Sequence, residues 1–294
     1  MATEAIATGV AINGTRVCFV SAQPLIKYEY VDPNDHLMCG VLDDVIETVT
    51  PGIEHHGWRI LLEPHPAELD LLIPLIGYTE SPTDTFTPLD TLTTFTTLVR
   101  LKSSTANAIS TANCVVDKAI FRGQKGLNPV SLQLDILGRS SSETATFSPS
   151  TLTRAAPYPF TSGVLTLDST ARKFDQFVLV HDNHVRKRFN NSVTADTLAN
   201  VRRTIHLGVN TVYDDDTDDL LTTFIASTRN TGIAANLQFT RNNQELTWDF
   251  TKVLWSATPP SIPGKEAEVR MYQFYQAVKS GSDDLCTITQ DATA

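Results

Sequence analysis

The pattern of hydrophobic and polar positions predicts short strands along most of this chain. Tyr28 and Tyr30 alternate with Lys27 and Glu29, and this period of two is typical of a strand with one buried face. Similar strand-like runs occupy residues 58–62, 118–121, 130–137, 175–183, 203–207, 247–255 and 266–277. Two pairs of these runs, 118–121 with 130–137 and 247–255 with 266–277, are each separated by a loop rich in glycine or proline. The fold class predicted from this pattern is mainly β.

Two segments have helical character, residues 66–77 and residues 214–227. Carboxylates precede or open the second segment, where they complement the helix dipole and supply N-caps. A calcium loop is the alternative for this aspartate run, but the glycine and the closing glutamate of an EF-hand are missing. In the first segment Pro74 is expected to end or kink the helix, and Gly77 suits its end.

Four segments of the first half (residues 1–146) resemble four segments of the second half (residues 147–294) in the same order. Residues 118–121 and 252–255 both read as a lysine, two aliphatic residues and an aromatic residue. The other pairs are 26–34 with 175–183, 58–62 with 203–207, and 66–77 with 214–227. Such self-similarity predicts a duplicated domain. Two β-rich domains that share only generic strand features remain the alternative.

The predicted organisation is an N-terminal arm (1–24), a first domain (25–140), a linker (141–160) and a second domain with a C-terminal tail (161–294). The linker is rich in serine, threonine and proline, and the arm in small residues. Residues 36–55 and 184–200 form long segments between strands, and loops of that length in compact domains are generally functional.

The net charge of −10 is shared unevenly between the halves. The first half has 9 Lys and Arg against 17 Asp and Glu, a net charge of −8, and the second has 14 against 16, a net charge of −2. This balance argues against a protein that grips nucleic acid, because such affinity comes from cations that neutralise phosphates. The sequence has no apolar run of about 18 residues and no pattern of a signal peptide. Its four scattered cysteines predict reduced thiols in a protein made in a cytoplasm.

Motifs that carry chemistry are missing from the sequence. His55 and His56 are adjacent, and His181 and His184 lie in a predicted turn, with no cysteine or carboxylate at a convincing ligand spacing. Nucleophile elbows, zinc-protease helices, phosphate loops and dinucleotide fingerprints are likewise missing. The sequence therefore predicts no enzyme, no metal site and no cofactor.

Residues 177–279 resemble the tail tube (major tail) proteins of long-tailed bacteriophages. Their shared pattern is a strand pair around a long loop, a short helix, and a hairpin that ends in an aromatic-rich strand. The matching pieces are residues 177–183, 202–209, 214–227, 237–240, 246–255 and 269–278, and the first half matches more loosely. The resemblance implies two tandem tail-tube-like domains, each a β-sandwich or half-barrel unit with one short α-helix. Their strands would join an intermolecular β-barrel in stacked rings.

What the resemblance implies about function is a structural virion protein, made in the host bacterial cytoplasm and located in the tail. Its partners would be itself, as a trimer with pseudo-sixfold symmetry, other tail proteins at the tube ends, and DNA that passes through the lumen without specific binding. Glu29 and Glu63 are the expected lumen-facing residues. The expected residues of the loops that stack one ring on the next are Asp43, Asp44, Glu47, Arg186, Lys187 and Arg188. The alternatives are a virion decoration or host-attachment β-sandwich module, and the tube protein of a contractile injection or secretion machine.

Overall fold

The computed structural model describes residues 9–31, 50–81, 84–101, 108–144, 146–212, 232–257 and 270–291, and it is mainly β. The first half contains β1 Gly9–Ile12, β2 Thr15–Val17, β3 Phe19–Pro24, β4 Lys27–Val31, β5 Thr50–Leu62, α1 Pro66–Gly77, β6 Tyr78–Glu80, β7 Thr85–Pro88, β8 Phe95–Arg100, β9 Ala108–Gln124, β10 Leu127–Gly138 and β11 Ser140–Thr144. The second half contains β12 Ser150–Thr151, a 3-10 turn Phe160–Ser162, β13 Val164–Leu167, β14 Thr170–Arg172, β15 Phe174–Asp182, β16 Val185–Arg188, β17 Thr197–Asn200, β18 Thr204–Val212, β19 Ile233–Arg241, β20 Gln244–Ala257, β21 Arg270–Ala277 and β22 Thr287–Asp291.

Eight antiparallel strands form a central sheet in the order β3-β5-β10-β9-β15-β18-β21-β20. The first half contributes β3, β5, β10 and β9, and the second contributes β15, β18, β21 and β20. If the strands of each set are numbered one to four along the chain, their order across the sheet is one, two, four, three. The two halves therefore have the same strand order, and β9 pairs with β15 where they meet.

A second layer of strands covers one face of this sheet in each half. In the first half β2, β1, β8, the beginning of β9 and β11 pair in that order. In the second half β14, β13, β19, the beginning of β20 and β22 pair in the same order. Both β9 and β20 belong to two layers because they are long enough to pair in the outer layer first and in the central sheet afterwards.

A large hydrophobic core lies between the layers and includes residues of both halves. The rings of Phe121 and Trp248, which are 1% and 0% exposed, meet edge to face with their centroids 4.9 Å apart. Trp248 also meets Phe239, and Phe239 lies 5.1 Å from Phe177. Aromatic contacts of this geometry stabilise a core beyond their buried area, so they join the two halves into one packed unit.

The helix α1 begins at Pro66 and ends at Gly77, as the sequence predicts. Gly77 has a φ of +112°, a conformation that favours glycine at this end of the helix. Of the two effects expected of Pro74, the end of the helix is ruled out because α1 continues for three residues beyond it; a kink stays a prediction. Its apolar face, with Leu69, Leu72 and Ile76, is buried in the core. The second predicted helix, residues 214–227, lies outside the described residues.

Two further expectations need correction. Residues 9–24 of the predicted N-terminal arm form β1, β2 and β3, because Val10, Ala11 and Ile12 are fully buried and pair with β8. The alignment of residues 26–34 with 175–183 is also displaced. Residues 175–182 lie in β15, whose counterpart in the strand order is β3, whereas β4 lies beyond the central sheet and pairs with the first part of β5. The local pattern could not separate β3 from β4, since both strands are short and adjacent in the sequence.

Candidate assembly surface

The face of the central sheet that no described strand layer covers carries both apolar and polar side chains, and two of its cations are paired with carboxylates. One row of neighbouring positions crosses all eight strands as Ser21, Leu61, Gln133, Ile120, Val180, His206, Gln276 and Leu254. The row beside it places Arg59, Asp135, Lys118 and Asp182 next to one another. Cations and carboxylates therefore alternate along this row, which has no net charge.

Short contacts hold these charges together. The guanidinium of Arg59 donates two hydrogen bonds to the carboxylate of Asp135, at 2.7 and 2.8 Å. The Nζ of Lys118 lies 2.7 Å from Oδ2 of Asp182, which binds the first half to the second. Contact with Asp135 raises the pKa of Arg59, and the hydrogen bond to Asp182 raises the pKa of Lys118. Both cations are thereby kept charged and are engaged by the protein's own carboxylates.

Among the described strands, the two outer strands of the central sheet, β3 and the last part of β20, each have one edge without a strand partner. Of the described strands, only β5 pairs with β3. Val20, on β3, is 56% exposed. At the other end of the sheet, β20 pairs with β19 as far as Val253, so Leu254 lies beyond this pairing. Open edges of this kind template pairing with another chain unless they are covered or charged.

A hairpin extends beyond the central sheet in each half. In the first half β4 pairs with residues 50–55 of β5, and in the second half β16 pairs with β17. The second hairpin leaves the sheet at Asn183, which is 1% exposed and donates from Nδ2 to the carbonyls of Ile76 and Val116, at 2.8 and 3.0 Å. His184 follows with a φ of +45°. This buried corner fixes the direction in which the hairpin extends.

The two hairpins of one chain lie side by side. The backbone N–H of Glu54 donates to the carbonyl of Val193 at 2.8 Å, and the rings of His55 and Phe189 meet edge to face. Arg139 also donates from Nε to the carbonyl of Ala195 at 2.8 Å. The second hairpin is thus held against its own chain rather than extended alone.

The predicted stacking residues have different environments. Arg186 and Arg188 are exposed, whereas Lys187 donates from Nζ to the carbonyl of His56 at 3.2 Å. Burial lowers the pKa of Lys187, and the attraction of Asp117 opposes that shift. Two of the three cations can therefore meet a partner molecule. Asp43, Asp44 and Glu47 lie outside the described residues.

The predicted lumen residues are separated from the paired charges. Glu29, on β4, forms an ion pair with Lys27 at 2.9 Å and lies 3.5 Å from Nε2 of His55. The hydrogen bond from Lys27 lowers the pKa of Glu29. Glu63 is exposed just after the end of β5. Whether either residue lines a lumen stays a prediction. The row from Arg59 to Asp182, in contrast, lies on the central sheet itself.

The histidines considered in the sequence do not form a shared metal site among the described residues. His181 is 1% exposed and donates to or accepts from the hydroxyl of Tyr78 at 3.0 Å. Burial, aided by Arg203, lowers its pKa to about 3, so this imidazole is neutral. A different group of ligand-type side chains, Cys18, His65 and Glu68, meets at the start of α1. Sequence reasoning missed it because Cys18 is 47 residues away from His65 along the chain.

No protein-family model matches this chain, and no curated protein matches its sequence. In the part of the chain that the structure describes, no helix is long and apolar enough to cross a membrane.

Proposed function

We propose that this protein is a tail tube protein, in which the central sheets of neighbouring copies join to enclose a lumen through which DNA passes. The observation that carries the proposal is the repeated strand order. Each half contributes four strands in the same sequence, and the third strand of the first half pairs with the first strand of the second half. This supports two tandem copies of one tail-tube-like domain in a single chain.

The joint between the halves provides a template for the joint between molecules. β9 pairs with β15, and their counterparts β20 and β3 are the two outer strands of the sheet. If β20 of one copy receives β3 of the next copy in the same way, the contact is head-to-tail, and a contact of this kind forms a ring when its rotation closes. Closure removes both open edges. Six tandem units in three chains then form the trimer with pseudo-sixfold symmetry.

The register of the proposed joint follows from the row that crosses the sheet. Ile120 lies opposite Val180 at the internal joint. Leu254 occupies the position of Ile120 in the second half, and Ser21 occupies that of Val180 in the first half. Leu254 of one copy is therefore expected opposite Ser21 of the next copy.

The uncovered face of the sheet suits a conduit. Phosphates bind to proteins through cations that release counterions, and here Arg59 and Lys118 are already engaged by carboxylates. In a lumen lined by this face, these two cations would be less available to the phosphates of passing DNA. The hairpins at one end of the sheet are the elements that would meet the next ring and, at the tube ends, other tail proteins. Assembly would follow synthesis in the host cytoplasm, and the assembled protein belongs to the virion tail.

Assembly of the purified full chain tests the proposal. We expect trimeric rings by native mass spectrometry and open tubes by negative-stain microscopy. Val20→Lys places a charge on the edge of β3 and should leave folded monomers, because charged edges resist strand pairing. Val164→Lys is the matched control: Val164, on β13, is 43% exposed and lies away from the edge of β3, so this variant should still assemble.

A cysteine pair tests the register. Ser21→Cys combined with Leu254→Cys should form a disulfide between molecules, since directly opposed residues of antiparallel strands lie within disulfide reach. Pairing Val164→Cys with Leu254→Cys should form none. Discrete particles in place of rings, or a filament without a central channel, would contradict the proposed conduit.

A further inference from the structure

Three side chains of different ligand types converge at the beginning of α1. Cys18 lies between β2 and β3, His65 directly precedes the helix, and Glu68 is its third residue. One potential ligand atom of each residue lies within 4.8 Å of the other two. His65 is 3% exposed and Glu68 is 1% exposed, whereas Cys18 is partly exposed.

Backbone hydrogen bonds fix the carboxylate of Glu68. Its Oε1 accepts from the N–H of Cys18 at 2.6 Å, and its Oε2 accepts from the N–H of His65 at 3.1 Å. The same carboxylate thus positions both of the other residues. Each carboxylate oxygen has a second lone pair, so these bonds leave acceptor capacity for a cation.

The two ring nitrogens of His65 have different environments. Its Nδ1 is buried and has no hydrogen-bond partner among the described residues. Its Nε2 lies 3.5 Å from Oε1 of Glu68. Adjacent ligands of a tetrahedral zinc ion with bonds of about 2.05 Å are separated by about 3.4 Å, so this pair already has the required spacing.

A small cavity of about 60 Å³ adjoins the three residues. That volume accommodates a water molecule, which supplies the open position of a site with three protein ligands. Arg16 and Arg154 also line this cavity and oppose a cation electrostatically. Arg154 is exposed, however, and its side chain can turn into solvent.

We propose that Cys18, His65 and Glu68 bind one zinc ion, with a water molecule as the fourth ligand. A thiolate and a carboxylate neutralise the two charges of the ion, and zinc accepts sulfur, nitrogen and oxygen ligands together. On binding, the bond between zinc and Sγ forms and the proton of the thiol leaves to solvent, with no change in oxidation state. The ion would connect the start of β3 to α1. The proposal does not rest on the tube function.

Metal titration of the purified, chelator-treated full chain tests this site, with cobalt(II) as the spectroscopic probe. We expect one equivalent of cobalt to produce thiolate-to-metal charge-transfer absorption and tetrahedral d–d bands, which zinc then abolishes by displacement. Cys18→Ser should remove the charge-transfer absorption. It should weaken zinc binding at least about 100-fold, because changes outside the ligand shell alone cost 10- to 100-fold.

Cys114→Ser is the matched thiol control. Cys114 is 0% exposed, lies outside the cluster, and donates to the carbonyl of Thr111, a bond that serine can reproduce. This variant should bind cobalt as the unmodified chain does. His65→Asn provides a second ligand variant, since asparagine is a favoured N-cap residue and should preserve the helix. Circular dichroism and thermal unfolding verify that each variant is folded.

The proposal is overturned if no stoichiometric cobalt band develops, or if the band persists in Cys18→Ser. Loss of the band in a folded Cys114→Ser variant would also overturn it. The titration is read separately on unassembled chains and on assembled rings of the unmodified protein, after the two are separated by size. Failure to bind metal is thus separated from failure to form rings.

Discussion

Lys118 and Asp182 lie directly opposite each other on β9 and β15, with 2.7 Å between Nζ and Oδ2. The pair spans the joint between the two halves, where β9 of the first half forms backbone hydrogen bonds with β15 of the second half. Burial alone would raise the pKa of Asp182, but hydrogen bonds from Lys118 and from the N–H of His184 outweigh it, and the net shift is downward. The charged form of Asp182 is therefore favoured by folding.

Replacing Asp182 with asparagine should lower the free energy of unfolding by about 1 kcal/mol at neutral pH, the usual scale for a partly exposed ion pair. Because the folded pKa lies below the ordinary value of 3.8, the stabilisation is present above that value and is lost as the pH falls through the folded pKa. Asp182→Asn should thus lose less stability than the unmodified chain on acidification. Urea unfolding at a series of pH values from neutral to below 3.8 measures this difference in stability. Asp135→Asn, which breaks the ion pair with Arg59 inside the first half, is the control. An unchanged acid dependence would contradict this role.

Asp70 on α1 should make stability depend on pH in the opposite direction. Burial, followed by the charges of Glu80, Asp84 and Asp291, raises its pKa to about 7. The stabilisation from its protonated form is complete below the ordinary value of 3.8 and is lost as the pH rises through about 7.

Asp70→Asn should therefore raise the unfolding temperature above neutral pH and flatten its dependence between the two pKa values. Thermal unfolding at a series of pH values measures the effect. Asp90→Asn, at an exposed carboxylate outside this group, is the control and should leave the profile unchanged. Equal profiles for Asp70→Asn and the unmodified chain would exclude this assignment.

The contact between Phe121 and Trp248 should make the two halves unfold together. Phe121→Ala is expected to lower the free energy of unfolding by about 3–5 kcal/mol, since it removes a buried aromatic ring and leaves a cavity. Calorimetry of the Val20→Lys monomer should show one unfolding transition, and Phe121→Ala in that background should lower the temperature of the whole transition. Phe274→Ala, at a ring that is 38% exposed, should cost much less. Two separate transitions, only one of them displaced, would mean that the halves fold independently.

Arg186 and Arg188 should act in stacking and not in ring closure. Replacing both with glutamate reverses the exposed charge of the second hairpin, so trimeric rings should persist while tubes become short or absent. The deletion of residues 186–198 should likewise give soluble protein without stacking. Native mass spectrometry and negative-stain tube lengths distinguish the two steps.

The control for this charge reversal is the pair Lys173→Glu and Lys279→Glu, which changes the net charge by the same amount at exposed positions outside the hairpin. Tubes of normal length from the arginine variant would remove the hairpin from the stacking contact. Tubes shortened equally by the control would assign the effect to net charge alone.

The sequence by itself determined the elements whose residues fix their own conformation. The pattern of hydrophobic and polar positions predicted strands over parts of β9, β10, β20 and β21, since the side chains of a strand point to opposite faces in turn. Pro66 and Gly77 likewise marked the ends of α1. The mainly-β class followed from these local patterns.

Only the tertiary structure decided which strands became neighbours. β3 joins the central sheet although its pattern is weak, because β5 provides its hydrogen-bond partners. The charge row from Arg59 to Asp182 and the meeting of Cys18 with His65 depend on the same pairings. Strand pairing is a contact between distant residues, and a local pattern specifies a buried face without specifying the strand that lies beside it.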